Sequence, residues 1–217
     1  MNDNKVFSME IIEETMKNLE ANNMKPFFVK TKEEAKDLVA TLISKGETIA
    51  SGGSQTLKAC GIDTLVKNGD YNYLDRETAE NVEDVYIGAF TADTYLMSTN
   101  ALVKSGVLYN VDGNSNRVAA LLYGPKSVVV VCGYNKIVET ISDAVERVKT
   151  VAAPLNTVRL HTGSYCESMG VCKGAASSEM CDGCKGTGRI CCNFVLTAQQ
   201  RKKDRIKVII VGEELGY

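Results

Sequence analysis

Apolar residues recur along this chain in two patterns, helical stripes and short continuous runs, and their alternation predicts a layered α/β protein. Ser8 to Met24 carries Ile12, Met16 and Leu19 at helical spacing among acidic and amide residues, which predicts an amphipathic first helix. Pro26 to Lys30 reads as a short strand. Thr31-Lys-Glu-Glu34 reads as a capping box, in which a hydroxyl and a carboxylate satisfy free amides at a helix start. Ala35, Leu38, Val39 and Leu42 supply the buried stripe of that helix. Gly46 to Ala50 makes the next strand and runs into Ser51-Gly-Gly-Ser-Gln-Thr56 and a helical turn through Lys58.

Farther on, Val85 to Gly88 is expected to be a strand, and Tyr95 to Val103 with Val107 to Val111 a hairpin around Lys104-Ser-Gly106. Asp112 to Arg117 reads as a tight loop before a short helix from Val118, which Gly124-Pro125 stops. Ser127 to Cys132 is the apolar run of a central parallel strand covered on both faces. Ile137, Val138, Ile141, Val145 and Val148 mark a helix, and Ile206 to Val211 a final strand. The sum is a three-layer α/β/α architecture on a mostly parallel, Rossmann-like sheet. It is expected to be one domain over residues 1–217, with a cysteine-rich loop at 161–193 inserted before the last strand.

At 217 residues and 44% hydrophobic content, the chain is long enough to bury a full core. A net charge of −2 gives no global attraction to nucleic acid or anionic lipid. The one basic run, Arg201 to Lys207, falls between an apparent helix and the final strand and reads as a solvated helix end, so nucleic acid is excluded. The N-terminus lacks an apolar signal core, and no apolar stretch approaches the ~20 residues of a membrane span. The expected setting is the cytoplasm, away from membranes, where thiols stay reduced.

That setting matters because six of the eight cysteines lie between Cys166 and Cys192, among Gly, Ser, Lys and Asp. The core spacing is Cys181-x2-Cys184-x6-Cys191-Cys192, preceded by Cys166-x5-Cys172. Such a loop buries little apolar surface, so something else must order it, and thiolates converging on a metal do that well. Cys166, Cys181, Cys184 and Cys191 are the expected ligands. Zinc and an iron–sulfur cluster both accept four thiolates, and spacing does not separate them. A reduced loop, a redox thiol pair and a loop ordered by a partner are the alternatives without metal. His161, the one histidine, precedes the loop as a metal ligand or a local hydrogen-bonding group.

Two further loops carry candidate chemistry. Ser51, Gly52, Gly53 and Ser54 lie between a strand and a helix start, where amides and the helix dipole favour an anion; the plainer reading is a glycine turn. Asp112 to Arg117 packs an acid, two amides and a guanidinium at the end of a strand, where ligands of open α/β sheets collect. Here the plainer reading is an Asp-Gly turn with Asn116 capping the next helix. The two loops are expected to converge at one sheet edge, with Arg117 holding an anionic group and Asp93 or Asp112 handling protons.

The ordered series of Ser51-Gly-Gly-Ser54, Asp93-x-Tyr-Leu-Met-Ser-Thr-Asn100, Asn110-Val-Asp-Gly113-Asn-x-Asn-Arg117, Gly124-Pro-Lys-Ser-Val, Gly133-x-Asn-Lys136 and the ending Val211-Gly-Glu-Glu-Leu-Gly-Tyr217 resembles the LUD domain. This is the lactate-utilisation family that includes LutC- and YkgG-like proteins, and the resemblance runs from about Val29 onward. It implies a sheet similar to those of ribose-5-phosphate isomerase, glucosamine-6-phosphate deaminase and CoA transferases (NagB/RpiA/CoA transferase-like). A small anionic metabolite is then expected near Ser51 to Ser54, with Asn100, Asn116 and Arg117 completing the binding set. The implied role is an enzyme or enzyme subunit of organic-acid metabolism, because larger members oxidise lactate beside iron–sulfur partners. A redox partner protein and self-association are open. An iron–sulfur accessory protein and a ligand-sensing or scaffold module with structural zinc are the alternatives. The sequence departs from the family in its loop: Lys173 to Met180 reads as inserted, so Cys172 or Cys181 is the second ligand, and Cys192 is an extra thiol.

Overall fold

The computed structural model describes residues 8–217. Its main sheet is six parallel strands in the order β1 (Lys25–Val29), β10 (Ile206–Val211), β7 (Ser127–Gly133), β4 (Thr94–Met97), β2 (Thr48–Ser51) and β3 (Asn72–Leu74). The central strand β7 shows why the apolar runs are continuous. Val128, Val130 and Cys132 pack on one side with Tyr95, Met97, Val208 and Ile210, while Val129 and Val131 pack on the other with Leu96, Ile209 and Val211. Each such fully buried aliphatic side chain contributes about 1.5–3 kcal/mol.

Helices α2 (Lys32–Leu42), α3 (Gln55–Ala59) and α4 (Ile62–Asn68) cover the second of these faces. The first is covered by α1 (Met9–Ala21), by α6 (Asn116–Leu122) and by a smaller sheet of four strands, β8 (Ile137–Val138), β5 (Ala101–Val103), β6 (Val107–Asp112) and β9 (Asn193–Thr197). Behind the smaller sheet a third cluster joins Ala101, Val103, Tyr109 and Val111 to Val145 of α7 (Ile141–Arg147) and Ala153 of α8 (Ala153–Leu160). The architecture is α/β with helices flanking a parallel central sheet. None of the described helices is long and apolar enough to cross a membrane.

Several local expectations change. Tyr95 to Val103 does not run as one hairpin arm: Ser98 to Asn100 break it, leaving β4 in the main sheet and β5 paired with β6, Ala101 opposite Tyr109. Val85 to Gly88 belongs to helix α5 (Val82–Gly88), capped by the Asn81 side chain, rather than to a strand. Thr31 caps α2 by accepting from the Glu34 amide, but the Glu34 carboxylate reaches the Lys30 amide, one residue before the cap. The basic run follows strand β9, not a helix, and its Arg205 is buried, donating to the carbonyls of Ala120, Leu121 and Pro125. The helix expected from Ile137 begins instead at Ile141 and widens into a π-helical segment, Val148–Ala152, before α8.

Candidate functional site

The carboxyl ends of β2, β3, β4, β7 and β10 open on one edge of the main sheet, where a cleft of about 790 Å³ is lined by residues following each of them. Gly53 to Gln55 follow β2, Arg76 follows β3, Ser98 to Asn100 follow β4, Lys136 follows β7 and Tyr217 lies beyond β10. Asp112, Asn116 and Arg117 come in from the smaller sheet and α6. The size and position are those of small-ligand sites in open α/β sheets.

The two predicted loops do converge. A Cβ added at Gly52 would meet Arg117 Cγ and Cδ at 3.0 Å, so any larger residue would force the arginine side chain to give way. Arg117, however, has no donor left for a ligand. Its Nη1 donates to Ser98 O and Asn110 Oδ1, its Nη2 to Asn100 Oδ1 and Val111 O, and its Nε lies 3.1 Å from Asp112 Oδ2. Five N–H groups with five acceptors make it a tie between β4, β6 and α6. Asp112 is equally committed, because its Oδ1 accepts from the Ser115 amide. Asn100 orients the same junction: its Oδ1 also accepts from the Val111 amide. Ser51 bonds Tyr73 at 2.7 Å, and Ser54 caps α3 by accepting from the Leu57 amide. With only five residues, α3 gives the loop little of the dipole expected of it. Asn116 stands in the cleft wall as the first residue of α6.

Asp93 is not part of this site. It precedes β4, at the opposite edge of the sheet, where its carboxylate accepts from Lys126 Nζ at 2.7 Å and the Thr48 amide at 2.9 Å. Those bonds, the Lys126 ammonium first, hold it below the usual carboxylate range. Proton transfer in the cleft therefore cannot fall to Asp93.

Two other cations stand at the cleft, Lys136 as a buried charge and Arg76 as a source of donors. Lys136 is buried at the foot of the cleft, where its Nζ donates to Thr56 Oγ1 and Ser98 Oγ, both at 3.1 Å, and to Thr99 O at 3.3 Å. None of these acceptors is a carboxylate. Burial, reinforced by the Arg147 and Arg117 charges, pushes its pKa down to about 7. Arg76 leans over the glycine loop so closely that a Cβ at Gly53 would meet its Nη2 at 2.7 Å. Its guanidinium makes no hydrogen bond or ion pair among the described residues. Sequence reasoning passed over both. A lysine three residues beyond the end of the most apolar run was the available signal for Lys136; Arg76 had none, since β3 is short and polar.

The cysteine loop forms another wall of the cleft through Thr187 to Cys192. All eight cysteines are free thiols. Cys166, Cys172, Cys184 and Cys191 line one small cavity beneath the loop, whereas Cys181 and Cys192 are exposed. Burial pushes the Cys191 thiol up to about 12. As the loop stands, no three His, Cys, Asp or Glu among the described residues are gathered closely enough to hold an ion. His161 is clear of the cavity: its side chain is 85% exposed, with Nδ1 3.9 Å from Glu167.

The sequence profile of the LUD domain matches residues 12–211. The chain belongs to the LUD domain family. A DUF162 family protein from Deinococcus radiodurans has a similar fold, with a TM-score of 0.54 at 14% identity over 93% of this chain and 96% of that one. Among curated proteins none matches. In this LUD domain the cleft residues come from loops after separate strands, so the match fixes the scaffold while the side chains above define the chemistry.

Proposed function

We propose that this LUD domain binds a small anionic metabolite in the cleft, as an enzyme or enzyme subunit of organic-acid metabolism. The observation that carries the reading is a pair of cations without carboxylate partners, Lys136 and Arg76, facing one cleft beside a glycine loop. Arg76 offers a planar fork suited to a carboxylate or phosphate. Lys136, with a pKa near 7, both attracts negative charge and exchanges a proton at neutral pH, the property wanted of a general acid or base. Arg117 and Asp112 act on the metabolite only by holding Asn100 and the Asp112–Arg117 loop in place. Family membership supports a lactate-utilisation setting.

Calorimetric titration with lactate, pyruvate, inorganic phosphate and coenzyme A tests the reading. At least one should bind the wild-type protein; Arg76→Gln should weaken it roughly 10- to 100-fold, the effect of losing one charge-assisted hydrogen bond, and Lys136→Met should weaken it by removing the buried positive charge at the foot of the cleft. Binding that is unchanged in the double variant, or no binding by any probe, would sink the cleft as an anion site.

A further inference from the structure

The cavity beneath the cysteine loop carries an inference independent of the cleft ligand. Segment 170–192 contains no helix or strand, yet its backbone is tied down from two sides. Lys149, turned inward by the π-helical segment, donates to the carbonyls of Gly174, Ser177 and Glu179. Arg189 donates to the carbonyls of Cys181, Cys184 and Cys191. Cys172, Cys184 and Cys191 line the same space as Cys166. That space has room for about one water-sized body, about 20 Å³. Among the described residues, the thiols lining it make no hydrogen bonds beyond the weak 3.5 Å contacts of Cys166 with Thr157 and Ser164.

We propose that Cys166, Cys172, Cys184 and Cys191 bind a single tetrahedral thiophilic ion of the zinc class, with Lys149 and Arg189 as its built-in counter-charge. The charge arithmetic supports it: four thiolates around a divalent cation carry two negative charges, and the two cations lining the cavity are bonded to carbonyls rather than carboxylates. Asp182, the acid at the rim, is solvent-exposed. Coordination replaces four S–H bonds with four metal–sulfur bonds and releases the protons to water. Binding requires the irregular loop between Cys172 and Cys184 to close inward, because the sulfurs do not yet stand at bonding distance. Cys181, the second cysteine favoured by the Cys-x2-Cys spacing, is exposed and does not line the cavity.

The test is elemental analysis of the full-length protein purified without oxygen, followed by cobalt(II) titration of chelator-stripped protein. One zinc per chain is expected. Cys181→Ser and Cys192→Ser should keep it, along with the full thiolate-to-cobalt absorption. Cys172→Ser and Cys184→Ser should lose the zinc and about a quarter or more of the cobalt band, one thiolate in four. If Cys172→Ser fails to fold, the Cys181→Ser spectrum still decides, because a weakened band there would make Cys181 a ligand and overturn the set. Iron with acid-labile sulfide would overturn the single-ion site, and protein without metal that takes up no cobalt would overturn the site altogether. None of these readouts depends on whether the cleft binds an anion.

Discussion

Lys136 is held between two charge states by where the fold buries it. In the unfolded chain its amine titrates near 10.5, and in the folded protein near 7, so between those values the unfolded state holds more protons. Stability contributed by this group therefore rises as pH climbs from 7 toward 10.5, and below 7 the full desolvation cost applies, on the order of 5 kcal/mol. Cys60 and Cys132 work the other way, because burial raises both thiols to about 11 and their stability is lost as pH rises from 9 through 11. The window from 7 to 8, below the onset of thiol ionisation in the unfolded chain, thus isolates the lysine. Urea unfolding at those two pH values should show the wild-type protein gaining about 1 kcal/mol over that range and Lys136→Met gaining almost nothing. Equal gains in the two proteins would mean that Lys136 is not titrating near 7.

At the scale of elements, what could be read from sequence and what could not divide along physical lines. β1, β7 and β10 were legible because a strand buried on both faces is a continuous apolar run, and α1 and α2 because an amphipathic stripe has a period. The glycine loop and the Asp112–Arg117 loop were legible as neighbours because each ends a strand. The break at Ser98 to Asn100 was not, since Tyr95 to Val103 is apolar enough to read through it, and only the pairing of β5 with β6 and β8 reveals a second sheet. Nor could residue type reveal that Arg117 is consumed by five acceptors while Arg76 has no hydrogen-bond partner among the described residues. The π-helical segment was equally hidden, and it has a local job. Replacing Lys149 with Met should strip Gly174, Ser177 and Glu179 of their shared donor and speed amide exchange across 172–182, with the amides of Val128 to Cys132 unaffected. Faster exchange in β7 as well would show that the loop and the sheet open together.

At the scale of the molecule, the two edges of the main sheet differ in kind. The amino-terminal edge is closed by partnered groups, Asp93 with Lys126 and Thr48, and Glu47 with Thr94, while the carboxyl-terminal edge keeps cations open to a cleft. Two small substitutions separate these roles. Asp93→Asn removes an exposed ion pair, so it should lower the melting temperature slightly and leave anion affinity where it was. Gly53→Ala should do the reverse. Its added methyl would sit 2.7 Å from Arg76 Nη2, the mobile end of a long side chain, so the guanidinium swings aside at little cost in stability. Gly52→Ala meets Arg117 instead, whose five bonds prevent it from moving, and there stability itself should fall by about 1–3 kcal/mol. Calorimetry and thermal melts on the three variants check the division. Anion affinity that drops in Asp93→Asn, or holds in Gly53→Ala while phosphate or lactate binds the wild-type protein, would mean that the glycine loop and Arg76 are not where the anion sits.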